Sequence, residues 1–146
     1  MKKIIMALAF IAFTVGNVAF AGEKEIDKKV KQAFDQEFVG AADIQWYRYD
    51  EYTKVDFTFN TMHLVAYFNN DGEKLAVVRN IHFSALPLDL QLGFRRNYKG
   101  YWITQICEVA TKDGTQYRLT LENAERTIKL QSDESIGWEV MAKESK

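Results

Sequence analysis

An amphipathic stripe that returns after sixty residues limits what this chain can fold into more than any other feature. Between Ile26 and Phe38 the apolar residues Ile26, Val30, Ala33, Phe34 and Phe38 fall three or four apart, with Lys28, Lys29, Lys31 and Asp35 between them. That spacing puts one apolar face on an α-helix. Sixty residues on, Leu86, Leu90, Gly93, Phe94 and Tyr98 repeat the stripe, and Gly40 recurs as Gly100. Each glycine stands just past its helix end, where a left-handed cap favours it. Two helix stripes can coincide by chance, so the segments after each helix decide whether the chain is duplicated.

Four stretches of strand character come after the first helix: Ala42 to Tyr49, Lys54 to Asn60, Met62 to Asn69 and Lys74 to Ile81. Asn70-Asp71-Gly72 marks a hairpin between the last two. The order returns after the second helix as Tyr101 to Thr111, Thr115 to Glu122, Ala124 to Gln131 and Gly137 to Ala142, with Lys112-Asp113-Gly114 as a turn. Val55, Phe57 and Phe59 reappear as Tyr117, Leu119 and Leu121, and Leu75 and Val77 as Trp138 and Val140. The expected fold is α+β: two tandem repeats, about 22–83 and 84–146, each one helix packed on a four-stranded antiparallel sheet. The repeats join near Ser84 to Pro87. Pro87, the only proline, suits the first turn of the second helix, where a missing N–H costs nothing, and Ser84 is a candidate cap.

The amino terminus reads as a secretory leader over residues 1–21. Lys2 and Lys3 give the positive start, Ile4 to Val15 the apolar run and Ala19-Phe20-Ala21 the small-x-small cleavage site. The run is shorter than the roughly 20 residues of a spanning helix. The expected product is a single domain over 22–146, exported to the periplasm with no stable membrane anchor. Export usually brings disulfides, yet Cys107 is the only cysteine, so an apolar core must carry the stability. After cleavage 17 basic residues face 20 acidic ones, a net charge of −3. That balance offers no footprint for nucleic acid or an anionic membrane.

On these residues the chain resembles a known family, the beta-lactamase-inhibitor-like, PepSY-like periplasmic proteins. The residues that carry the match are Ala42 and Trp46, Val55-Asp56-Phe57, Asp71-Gly72, Leu86-Pro87 followed by Tyr98, and Tyr117 after the Asp113-Gly114 turn. All of them build the fold, and none is a chemical signature. The resemblance implies a tandem helix-plus-sheet fold like that of the secreted beta-lactamase inhibitor protein. That protein grips its enzyme with hairpin loops and an aromatic-rich concave sheet. Inhibition is thus a label carried by the fold, which does not fix function. One departure is Ile106, where the second repeat has no counterpart to Trp46.

Chemistry is sparse. His63 and His82 lie nineteen residues apart without a further ligand at metal spacing. Ser84 beside His82 lacks a nucleophile elbow, no glycine loop suits a phosphate, and Cys107 in its apolar run reads as a small core residue. Asp50, Glu51, Asp133 and Glu134 sit in turns as solvated charge. No catalysis, cofactor or metal is expected. The expected function is a periplasmic binding or inhibitory module for a protein or peptide; the alternative is an envelope-assembly or scaffold component. The contact surface is expected on the sheet face away from the first helix, around Tyr47, Tyr49, Asp56, Thr58 and Tyr67, with Arg118, Thr120, Glu122 and Lys129 on the second repeat's more polar counterpart. Exposed tyrosines rimmed by polar groups mark interaction sites, although the other repeat, the carboxy-terminal tail or a second copy could cover this patch instead.

Overall fold

The computed structural model describes residues 26–132 and 137–146; the leader expected over 1–21 and the turn holding Asp133 and Glu134 lie outside the described residues. The elements run α1 (Lys28–Glu37), β1 (Ala42–Arg48), β2 (Tyr52–Phe59), β3 (Met62–Asn69), β4 (Lys74–Asn80), a 3-10 turn (Phe83–Ala85), α2 (Leu88–Asn97), β5 (Trp102–Thr111), β6 (Gly114–Glu122), β7 (Arg126–Ser132) and β8 (Trp138–Ser145). The α+β class holds, with two α-helices and antiparallel strands among the described residues. The division into two four-stranded sheets does not, because the strands form one eight-stranded order, β1-β2-β3-β4-β5-β6-β7-β8. The physical reason is in β4, whose unbroken apolar run Leu75-Ala76-Val77-Val78 suits a strand with two neighbours rather than an unprotected edge. The chain divides into two compact units inside this strand, between Ala76 and Val77.

In the first unit Asp27 caps α1, its Oδ1 accepting from the Lys29 N–H at 2.8 Å. At the other end the Phe38 N–H donates to the Phe34 carbonyl at 2.9 Å, and Gly40 turns the chain at φ +88°. The buried face of α1 presents Phe34, 1 % exposed, to an aromatic cluster. Its ring meets Phe57 at 4.9 Å, Trp46 at 5.1 Å and Phe38 at 5.2 Å, with Phe68 at 6.4 Å. Edge-on arrangements such as the first two, at 88° and 69°, suit the ring quadrupole. The β3–β4 hairpin leans on the same helix. A Cβ added at Gly72, where φ is +84°, would lie 2.8 Å from the Lys29 carbonyl oxygen. Only glycine fits there, for conformation and for room. A Lys74–Glu37 ion pair ties β4 to the end of α1.

The second unit repeats the helix end. The Tyr98 N–H donates to the Phe94 carbonyl at 2.9 Å, and Gly100 also has φ +88°. Register slips occur in the same place, between Ala42 and Gln45 in β1 and between Ile103 and Gln105 in β5. The entry to α2 differs from the expectation. Pro87 stands at the cap itself, at φ −49° and ψ 142°, while Ser84 lies in the 3-10 turn, too early to cap. The core is aliphatic: Leu86, Leu119, Leu121, Ile128 and Leu130, with Phe83, Phe94, Tyr98 and Tyr101 packed partly buried against it. Where the first unit has Trp46, this unit has Ile106; Trp102 in β5 is exposed, and the tryptophan packed against this core comes from β8. Trp138 lies against Gly93 and donates its indole N–H to the Leu90 carbonyl at 2.8 Å.

Candidate functional site

Alternation along β2 separates the two faces of the first unit. Thr53, Val55 and Phe57 are buried on the α1 side, which turns Tyr52, Lys54, Asp56 and Thr58 to the other side. Strand pairing extends these positions into rows. Tyr47, Lys54 and Tyr67 lie side by side, as do Gln45, Asp56 and Val65; Ala42, Thr58 and His63 make a third row. Tyr49 comes just after β1, its N–H donating to the Tyr52 carbonyl at 2.9 Å. All five expected residues, Tyr47, Tyr49, Asp56, Thr58 and Tyr67, therefore share the face opposite α1.

Their accessibility is unequal. Tyr47 and Tyr49 are half-buried, but Tyr67 is only 7 % exposed. Tyr67 is thus corrected from a contact residue to the floor of the patch. Period-two alternation tells a face from its reverse, not how deep a side chain lies. Tyr52 lies between them, stacked on Tyr49 with centroids 4.5 Å apart at 17° and tilted against Tyr67 at 6.0 Å. Tyr52 and Lys54 were missed as site residues. The signal was available, since extending the buried alternation back to Thr53 brings Tyr52 into the strand.

Charge sits in the middle of the tyrosines. The Lys54 ammonium lies 4.8 Å from the Tyr47 ring centroid and 3.3 Å from Asp56 Oδ1. That carboxylate oxygen is buried and accepts no hydrogen bond, so the ion pair lacks hydrogen-bond geometry. The Tyr47 hydroxyl donates to Gln45 Oε1 at 2.7 Å. Burial first, then the Asp56 charge and Tyr47, push the Tyr49 phenol above its ordinary value. It stays a neutral donor at any physiological pH. Asp50 and Glu51, both exposed, rim the patch at the β1–β2 turn, where Asn70 Nδ2 donates to the Asp50 carbonyl at 2.9 Å.

The corresponding face of the second unit is polar but closed at its centre, which corrects the expectation for Arg118, while Thr120, Glu122 and Lys129 are half-buried. That side chain is 4 % exposed, pairs across strands with Cys107 and Gln131, and donates from Nε to Gln131 Oε1 at 3.2 Å. Thr120 Oγ1 is buried without a hydrogen-bond partner. Lys129 is held by Glu144 at 3.0 Å, and Glu122 by Lys146 at 2.8 Å. Burial pushes the Cys107 thiol up, with Arg118 opposing. Among the described residues, no three His, Cys, Asp or Glu side chains gather as a metal-holding group.

The fold has solved counterparts. A BLIP-like protein from Bacteroides fragilis superposes with a TM-score of 0.66 at 15 % identity, over 82 % of this chain and 85 % of that one. A Bacteroides eggerthii protein, whose description assigns it provisionally to the periplasm, gives 0.70 at 14 % identity over 81 % and 87 %. A DUF2874 family protein from Bacteroides uniformis gives 0.70 at 14 % identity over 81 % and 88 %. The chain therefore has a BLIP-like fold. No protein-family profile and no curated protein matches the sequence.

Proposed function

We propose that the chain is an exported periplasmic binding module that engages a protein or peptide through the tyrosine face of its first unit and performs no chemistry of its own. The observation that carries this reading is the cluster of Tyr47, Tyr49 and Tyr52, half-buried and mutually ordered on the sheet face that α1 leaves uncovered. Tyrosines give large contact area with few rotatable bonds and a polar tip, which lowers the entropy lost on binding. The location rests on the leader-like residues 1–21 and on the provisional periplasmic description of the Bacteroides eggerthii counterpart. In the same reading the two units are copies of one helix-and-strand module, and only the first keeps an aromatic binding face.

A photo-crosslinking residue placed at position 47, and separately at position 116 on the second unit, tests the site in intact cells. The reading expects a discrete adduct from position 47 and none from position 116. Adducts from position 116 alone, or from neither position, contradict it.

A further inference from the structure

Within the tyrosine face one spot is already built for a cation. Lys54 extends its ammonium over the Tyr47 ring and toward Asp56, at 4.8 Å and 3.3 Å. A ring face and a carboxylate converging on one positive charge is the arrangement that favours a desolvated cation. Lys54 fills the spot imperfectly. Asp56 Oδ1 is buried and accepts no hydrogen bond from it, and a buried acceptor without a donor costs free energy that a better-aligned donor recovers. An ammonium on a flexible stem is a point charge, whereas a guanidinium presents several N–H groups in a plane that matches a carboxylate and stacks on aromatic rings. Lys54 is the internal occupant of a site whose chemistry suits arginine better.

The surroundings agree. Asp50 and Glu51 come directly after Tyr49 in the adjoining turn and are exposed. Stacked Tyr49 and Tyr52 offer a second ring surface beside the first. Lys54 is the one Lys or Arg in the rows Gln45–Asp56–Val65 and Tyr47–Lys54–Tyr67, and it is the group a ligand would displace.

We propose that this face receives an arginine side chain of a basic partner segment, which displaces Lys54, pairs with Asp56 and lies over Tyr47 and Tyr49. The proposal rests on the binding reading above and names the partner's chemistry: a peptide or loop that presents arginine.

The probe is a fluorescein-labelled Gly-Ser-spaced peptide carrying three arginines, with a citrulline peptide of the same length as its uncharged isostere, titrated with the full secreted chain. The arginine peptide is expected to bind at least about tenfold more tightly than the citrulline peptide, the scale of one charge-assisted hydrogen-bonded contact. Asp56→Asn, which keeps size and removes charge, should abolish that preference, while Lys54→Ala, which removes the internal competitor, should tighten the arginine peptide several-fold. Equal affinity for the two peptides overturns the proposal, as does a preference that survives Asp56→Asn in a variant that melts like the parent. Weakening by Lys54→Ala overturns the displacement step. Adducts at position 47 combined with no arginine preference leave the binding face standing and remove only its assignment to arginine, so the two failures are distinct.

Discussion

The two units use the same strand positions to opposite ends. Asp56 and Arg118 both occupy the middle of the second strand of their unit, on the side away from the helix. In the first unit that position is ringed by partly accessible tyrosines and an ion pair short of a hydrogen bond. In the second it is sealed, with Arg118 hydrogen-bonded to Gln131 beside Cys107. The helix sides differ less, since both bury a continuous apolar core, one aromatic and one aliphatic. The helix side answers to packing, whereas the reverse side is free to be filled or left open, and the proposed binding face uses that freedom.

The largest effects should expose the difference between the cores. Phe34→Ala removes a fully buried ring and should cost about 3–5 kcal/mol in denaturant unfolding. Phe94 holds the same position at its helix end but is only partly buried, so Phe94→Ala should cost about 1–3 kcal/mol. Equal losses would break the claim that the two cores differ in depth.

The helix exits should sharpen the likeness instead. Gly40 and Gly100 share φ +88° with no heavy atom near a built Cβ, so alanine at either should cost about 1–2 kcal/mol, from the left-handed backbone alone. Gly72→Ala should cost more than either, because the Lys29 carbonyl leaves no room as well. A Gly72 variant that melts with the other two would contradict the hairpin's docking on α1.

Cys107 gives the smallest effect on stability and a clean readout of the sealed centre of the second face. Burial pushes its thiol up, so less thiolate is present at a given pH than in the unfolded chain. A raised thiol contributes stability that is present below its unfolded value and lost as pH rises through its folded one. Alkylation near pH 8 should be slow in the native protein and fast in denaturant. Rapid native labelling would mean that the centre of the second face, at Cys107 and Arg118, is open after all.

Much of this was legible in residue order. Apolar spacing located both helices and every strand to within about two residues at each end, apart from the end of β8, which runs on past Ala142 to Ser145. Alternation through Val55 and Phe57 put the five candidate residues on one face. Depth was not legible. Tyr67 and Arg118 obey the alternation yet are buried, because cover comes from neighbours beyond the strand. The β4–β5 pairing was also missed, although Leu75-Ala76-Val77-Val78 reads as an interior strand once its two-sided apolar character is weighed. Pro87 at the cap rather than inside α2 is a one-residue shift that spacing does not resolve.

The central claim is that binding belongs to the first unit's face, and the most direct measurement is partner affinity in three forms of the chain. Tyr47→Ser with Tyr49→Ser should lower affinity at least about tenfold, or roughly 1.4 kcal/mol, in a chain that still unfolds cooperatively. Gln116→Ser with Lys129→Ser, on the second unit's corresponding face, should leave affinity within about twofold, or less than about 0.5 kcal/mol. Equal losses from the two pairs, or none from the tyrosines, would contradict the account.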